Sequence, residues 1–288
     1  MTADALSPAE AAPATAPAAP ATAMPSVAPV TLRRWRGWAV LLGGSLLLNA
    51  TSLTVVLFAP VLEPAFREWR LYLDVLVEDN LPTWWSAALL ITAALTHGLV
   101  GVAGRLARAP GASCWFVSAV VLTVLALDDH TQLHERSERI GRQLVTYETS
   151  FPFYWLIPGA VAGLAVAGAL VWLAARTRGR TRWLLVAGVT VLLGCALGLE
   201  AVQGFFMADQ NQGTGFVLTY HVEELGENVA ALLLLAAALS AVSITREDGG
   251  LTVAYWESAG RREQSVRGTL DPGPRQSHQQ MLLEQTEC

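Results

Sequence analysis

Apolar residues fall into six long runs along the chain, separated by polar segments. Each run is close to the roughly 20 residues that an α-helix needs to cross the hydrocarbon core of a bilayer. We predict spanning helices at residues 37–60, 82–104, 112–131, 153–175, 183–206 and 217–243. The pattern therefore predicts an all-α fold, an integral membrane bundle of six transmembrane helices.

The segments outside these runs divide the chain further. Residues 1–31 are almost entirely Ala, Pro, Thr and Ser, which gives too little apolar bulk to pack, so we expect a disordered tail. This segment lacks the basic start and apolar core of a signal peptide, so no cleavage is expected. Residues 63–80 form a short amphipathic piece that we place at the membrane interface. The transmembrane domain is expected at 32–245, followed by a polar, mostly disordered tail at 246–288.

Composition supports the membrane assignment. Of 288 residues, 53% are apolar and only 15% charged, and the mean hydropathy is +0.40, values typical of an integral membrane protein. The net charge of −5 gives no indication of nucleic-acid binding. Cys114, Cys195 and Cys288 have no metal or redox spacing, and a disulfide framework is not expected.

The distribution of arginine orients the predicted spans. Positive residues concentrate in cytoplasmic connections, and here arginines occupy every second connection, whereas acids dominate the alternate ones. The arginines concerned are Arg33, Arg34, Arg36, Arg105, Arg108, Arg176, Arg178, Arg180, Arg182 and Arg246. This pattern predicts a multi-pass protein of the cell membrane with both termini cytoplasmic.

The third predicted span ends in an unusually polar stretch, Leu127–Glu135. On a continuing helix His130 and His134, four residues apart, share a face, and this spacing suits two imidazoles on one metal ion. Asp128 lies close to the hydrocarbon, where ionisable groups are costly and usually functional. The alternative is that the helix has left the membrane and that the later charges of the stretch are solvated.

The sixth predicted span opens with a second polar stretch, Tyr220–Asn228. On a helix His221 and Glu224 share a face. Together with Glu223 and Glu227, this stretch holds three carboxylates in five residues. They cannot all stay ionised in a low dielectric without a cation, a proton or arginine partners. We therefore expect this face to be functional.

The fifth predicted span contributes Glu200 and Gln203. Gly194 and Gly198 are four residues apart, and small residues at this spacing let helices approach closely. Such an approach would bring Glu200 toward the third or sixth span. The alternative is a protonated glutamate that hydrogen-bonds to neighbouring backbone.

Two other polar features are assigned structural roles. Glu78, Asp79 and Asn80 precede the second span and are expected to be ordinary loop and helix-cap residues. His97 lies in the inner half of that span and is expected to be a neutral histidine, hydrogen-bonded within the bundle.

Nearly all ionisable residues of the predicted spans map to the outer half of the bilayer. This asymmetry indicates a cavity open to the outside rather than a path through the membrane. Within it, Asp128, Glu200 and Glu227 are our candidate catalytic residues. The candidate metal ligands are Asp129, His130, His134, His221 and Glu224.

These motifs carry a family resemblance. Leu127-Asp128-Asp129-x4-His134-Glu135, with Glu223-Glu224-x2-Glu227 opening the last span, resembles motifs of a group of bacterial multi-pass membrane proteins of unknown function. The resemblance implies a six-span bundle in which these acids and His134 matter, and it supplies no activity. Alkaline-ceramidase-like membrane hydrolases offer only a chemical analogy, since they have seven spans and a His-x3-His motif that this chain lacks.

Three functions fit this pattern. The first is a metal-dependent membrane enzyme, a hydrolase or oxidase of a lipid-like substrate that enters from the outer leaflet; its histidines and carboxylates would hold Zn²⁺ or a pair of iron ions. The second is a transporter or sensor whose acids bind a cation or proton, although the missing inner charges argue against a complete path. The third is an accessory subunit whose buried acids bind arginines of a partner.

Overall fold

A computed structural model describes residues 34–58, 66–145, 153–247 and 250–255. The predicted N-terminal tail, part of the amphipathic piece and residues 256–288 lie outside this description. Within the described ranges the chain forms ten α-helices, a π-helical segment and one β hairpin. The elements are α1 Arg34–Phe58, α2 Arg67–Leu73, α3 Leu81–Leu106, α4 Ala112–Thr131, α5 Leu133–Arg136, α6 Glu138–Leu144, α7 Leu156–Arg176, α8 Gly179–Leu193, the π segment Gly194–Leu199, α9 Glu200–Ala208, α10 Thr214–Ser240, β1 Val242–Glu247 and β2 Gly250–Tyr255.

Each predicted span coincides with a long helix, the fifth being α8, the π segment and α9 in continuous succession. By length and composition, five helical segments of the described chain could cross a membrane. These are Trp35–Phe58, Leu81–Leu106, Ala112–Thr131, Leu156–Arg176 and Gly179–Ala208. Helix α10 is as long, at 27 residues, but carries three glutamates. The fold is thus predominantly helical, with several helices of membrane-spanning length.

Helix α10 lies at the centre of the bundle, packed against α1, α3 and α8. Its Ala/Leu-rich second half is almost fully buried, because small side chains let neighbouring helices approach. A Cβ atom built at Gly188 of α8 would lie 2.8 Å from the Leu234 side chain, so glycine is required for this contact. The core therefore forms around the apolar half of α10 and leaves its polar half for the site.

His97 is hydrogen-bonded within the bundle, as predicted. Its side chain is completely buried between α3, α4 and α10. Nε2 lies 3.0 Å from the Leu234 carbonyl oxygen and Nδ1 lies 2.7 Å from Ser118 Oγ. Because Nε2–H donates to the carbonyl, Nδ1 accepts from the serine hydroxyl, and both ring nitrogens are satisfied.

The outer surface of the helices is strongly apolar. Leu99, Val161 and Leu164 expose 70%, 69% and 74% of their surface, and α1 exposes several further leucines and valines. Apolar areas of this extent on a soluble monomer are unusual. They are the surfaces that lipid tails cover in a membrane protein.

A β hairpin follows α10 and crosses residue 245, where the predicted transmembrane domain ends. We predict a polar tail from residue 246, but β1 and β2 pair antiparallel across that boundary. Tyr255 is 4% exposed, and its hydroxyl accepts a hydrogen bond from Trp115 Nε1 at 3.1 Å. This buried contact packs the hairpin against the helical bundle. A strand pair this short gives little hydropathy signal.

Candidate functional site

Antiparallel packing brings the acidic segments to one end of the bundle. The residues preceding α3, the end of α4, the α5 turn, the start of α7, α9 and the first half of α10 all meet there. We define the acid cluster as the eight carboxylates at this end that act on one another electrostatically, together with His134. Its acids are Glu78, Asp128, Asp129, Glu135, Glu200, Glu223, Glu224 and Glu227.

The third predicted span does not continue as one helix through its polar stretch. Helix α4 ends at Thr131, and Gln132 has a φ of 55° in the left-handed region. The predicted common face of His130 and His134 is therefore wrong. His130 is exposed, whereas the reversal at Gln132 turns His134 back toward the bundle. The structure therefore does not bring His130, a predicted metal ligand, together with His134.

Asp128 holds His134 in place. Its Oδ1 accepts the backbone N–H of His134 at 2.8 Å, and its Oδ2 lies 3.3 Å from His134 Nδ1. The imidazole also packs on the indole of Trp155, with ring centroids 4.6 Å apart. We predict Asp128 as a catalytic residue, but these contacts make it the group that orients His134.

The other imidazole nitrogen faces carboxylates. His134 Nε2 lies 3.8 Å from Glu78 Oε1, and ligand atoms of Glu78, His134 and Glu135 all lie within 4.8 Å of one another. The sequence predicts an ordinary loop acid at Glu78, whereas the structure brings it to the site. Asn80, by contrast, caps α3 as expected, since its side chain accepts the Thr83 N–H at 3.2 Å.

Two oxygens of the cluster are left without donors. Glu78 Oε2 and Asp129 Oδ2 are buried and have no hydrogen-bond partner among the described residues. A buried, unpaired carboxylate oxygen costs free energy unless a proton or cation reaches it. These atoms show where the cluster requires further positive charge.

The pKa values of Glu78 and His134 are both raised. Burial raises the pKa of the Glu78 carboxyl to about 7, although His134 acts in the opposite direction. For His134, burial by itself lowers the pKa, but the hydrogen bond and charge of Asp128 and the charge of Glu78 outweigh it and raise the pKa to about 9. At neutral pH His134 is therefore protonated and partly neutralises the acids around it.

These shifts predict a pH dependence of stability in metal-free protein. Between pH 6.5 and 9 the folded protein retains a proton on His134 that the unfolded chain releases, so the free energy of unfolding falls as pH rises. Glu78 acts in the same direction between pH 4.5 and 7. We expect the thermal midpoint in detergent with a chelator to drop from pH 6.5 to 9, and His134→Gln to flatten that drop. A midpoint that rises over this interval would contradict the assignment.

The facing wall of the cluster belongs to α9 and α10. Glu223 is 6% exposed and accepts a hydrogen bond from the amide of Gln203. Glu200 lies within hydrogen-bonding reach of Glu223 and of Trp155. Glu224 and Glu227 lie deep in the bundle, yet part of their surface stays accessible, as for side chains that line a cavity.

Glu200 reaches the cluster through an irregular helix. It follows directly on the π segment, and such insertions redirect the side chains after them and occur often at functional sites. The π segment and α10 approach each other at Cys195, because a Cβ built at Gly226 would clash with the Cys195 Sγ. The predicted approach through Gly194 and Gly198 is wrong, since neither has a neighbouring described atom within 4 Å of a built Cβ.

His221 does not join the acid cluster. Its Nδ1 lies 2.8 Å from the Val217 carbonyl oxygen and its Nε2 lies 3.1 Å from Ser52 Oγ. Nδ1–H must donate to the carbonyl, so Nε2 accepts from the serine hydroxyl. Both nitrogens are engaged, so the structure does not place His221 with the other predicted metal ligands.

The structure thus gathers six of the eight predicted site residues. It brings together Asp128, Asp129, His134, Glu200, Glu224 and Glu227, and it leaves out His130 and His221. Sequence reasoning treated Glu78 as an ordinary loop acid and did not single out Trp155 for the site. The only sequence signal for these two residues was their position. Glu78 precedes the second predicted span and Trp155 lies at the start of the fourth, both on the side of the membrane where the acids concentrate.

Fold and site together define an all-α bundle with several helices of membrane-spanning length and an acid cluster with one histidine at one end. The chain belongs to the family described as a domain of unknown function (DUF8692), whose model matches residues 46–242. The match includes every residue of the acid cluster. No curated protein and no solved structure matches the chain.

Proposed function

We propose that this protein is a six-span protein of the cell membrane and a metal-dependent enzyme, whose acid cluster binds a divalent cation at the outer end of the bundle. Helix α10 would be the sixth span, because its glutamates face the cluster and the rest of the helix is apolar and buried. The arginines between α3 and α4 and between α7 and α8 favour a cytoplasmic location for the opposite end and for both termini.

One observation carries the metal site: Asp128, His134 and Glu78 are arranged in series. Metal-binding histidines commonly donate one ring N–H to a carboxylate, which fixes the tautomer and leaves the other nitrogen for the metal. Asp128 lies at Nδ1, Nε2 faces Glu78, and a carboxylate oxygen of Glu135 lies within 4.8 Å of the ligand atoms of His134 and Glu78. In the metal-free protein a proton on Nε2 takes the place of the cation.

The donor set restricts the choice of metal. Imidazole and carboxylate ligands occur together at catalytic Zn²⁺ sites and at non-haem iron sites, both of which keep positions open for water or substrate. The unpaired oxygen of Asp129 is a further oxygen donor near this group. We therefore propose Zn²⁺ or Fe²⁺.

The remaining carboxylates support hydrolysis or oxidation rather than simple storage of a cation. A bound cation would supply an acidified water or an open coordination position. Glu200 and Glu227 lie within electrostatic range of His134 and would serve to accept or return protons there. A site at this depth favours a lipid-like substrate that enters laterally from the outer leaflet.

Replacement of a single acid tests the metal site. In protein purified in detergent and stripped with a chelator, we expect one saturable site for Zn²⁺ or Fe²⁺ in a calorimetric titration. Glu78→Gln should weaken binding by about 10-fold or more, because it removes a ligand. The matched control is Asp79→Asn, which alters an exposed acid in the same loop and keeps a side chain that tolerates the φ of 59° there. Equal binding by both variants would contradict the proposal.

A further inference from the structure

Ser52 of α1 lies outside the acid cluster and joins two segments that each carry some of its acids. It is completely buried. Its Oγ accepts the backbone N–H of Val75 at 2.9 Å and lies 3.1 Å from His221 Nε2. Since Nδ1–H of His221 donates to Val217, the hydroxyl proton of Ser52 must donate to Nε2. The three groups form a directed hydrogen-bond chain from Val75 through Ser52 to His221.

The first end of this hydrogen-bond chain lies in the loop that carries Glu78. The loop runs from Asp74 to Asn80 and is internally braced, since Asn80 Nδ2 donates to the carbonyl oxygens of Asp74 at 2.7 Å and Leu71 at 3.1 Å. Asp74 itself is 2% exposed and its Oδ1 accepts the backbone N–H of Leu76 at 3.1 Å. The loop is therefore one stiff unit, and the bond to Ser52 fixes it to α1.

The second end of this hydrogen-bond chain lies on α10, the helix that forms part of the facing wall of the acid cluster. His221 lies on α10, within two helical turns of Glu224 and Glu227. Asn49, one turn before Ser52, donates from Nδ2 to the His221 carbonyl oxygen at 2.8 Å. A second hydrogen bond therefore joins α1 to α10 at His221. A shift of α10 along its axis would strain the Asn49 hydrogen bond and, through Ser52, the hydrogen bond to the Glu78 loop.

We infer that Ser52 and His221 are positioning residues, which hold the Glu78 loop in register with α10 and thereby set the affinity of the metal site. The inference rests on the proposed function. It assigns a role to a buried Ser–His pair that has no access to substrate. Outer groups that position metal ligands typically contribute 10- to 100-fold to affinity.

The experiment compares two buried serines of the same helix. Ser45 is 2% exposed, accepts the Trp85 indole N–H at 2.9 Å and lies about two helical turns before Ser52 on α1. We expect Ser52→Ala to weaken Zn²⁺ binding about 10-fold, Ser52→Thr to restore it by returning the hydroxyl, and Ser45→Ala to bind as the wild type does. The thermal midpoint of each variant is measured alongside, since lost packing lowers the midpoint without changing affinity in the folded protein.

A second pair of variants applies if Ser52→Ala does not fold. In His221→Asn the side-chain amide can take the place of Nδ1 at the Val217 carbonyl, but it is too short to reach Ser52. In His221→Gln the longer side chain can take the place of Nε2 and accept the Ser52 hydroxyl. We expect weaker Zn²⁺ binding in the first than in the second. Wild-type affinity in Ser52→Ala, or equal affinities in the two His221 variants, overturns this inference alone. A wild-type protein that binds no metal overturns the proposed function with it.

Discussion

Replacement of His134 by alanine is expected to abolish metal binding, with a loss of affinity greater than about 100-fold. The reason is that His134 provides the nitrogen of the ligand group, and even the outer partners of such ligands typically contribute 10- to 100-fold. The measurement is a titration of the chelator-treated protein with Zn²⁺ in detergent. The loss should exceed that of any single carboxylate variant, because several neighbouring acids can replace one another.

His130 provides the matched control for this prediction. It lies four residues earlier, has the same side chain and is exposed in the last turn of α4. His130→Ala should therefore bind Zn²⁺ like the wild type. If both variants lose the metal to the same extent, the helix reversal at Gln132 does not separate the two residues, and the site as described is wrong.

Changes at Asp128 are expected to give the second-largest effect. Asp128→Ala should weaken metal binding about 10- to 100-fold and also lower the thermal midpoint, because it removes the acceptor for the His134 backbone N–H. Asp128→Asn separates these two roles. Its amide oxygen can still accept the backbone N–H, but its amide nitrogen cannot accept Nδ1–H of His134.

The expected result for Asp128→Asn is thus a thermal midpoint near that of the wild type together with weakened Zn²⁺ binding. Affinity and midpoint are measured on the same preparations. Wild-type affinity in Asp128→Asn would show that Asp128 only caps the helix end and does not select the His134 tautomer.

Hydropathy was sufficient to predict the helical elements. Each of the six apolar runs coincides with a long helix, because about 20 consecutive apolar residues leave few other stable conformations. The hairpin after α10 was not predictable in this way. It depends on the contact of Tyr255 with Trp115, which lies 140 residues away in the sequence.

Local periodicity could predict only part of the site. Glu224 and Glu227 follow from their positions on α10, and Glu200 from its depth in the fifth span. His130 was misassigned because periodicity assumes a continuing helix, whereas the Asp128 carboxylate and the left-handed Gln132 end α4. The placement of His221 outside the cluster could not be predicted, because its partner, Ser52, lies on a helix 169 residues earlier.

X-ray absorption at the metal edge tests the central claim most directly. On metal-loaded protein, the expected spectrum shows a first shell of oxygen and nitrogen ligands with the outer scattering of one imidazole. In His134→Ala, any metal that remains should lack the imidazole scattering, and in His130→Ala the spectrum should match the wild type. A wild-type spectrum without imidazole scattering would contradict the assignment of His134 as the metal-binding histidine of the acid cluster. Imidazole scattering that persists in His134→Ala would contradict it as well.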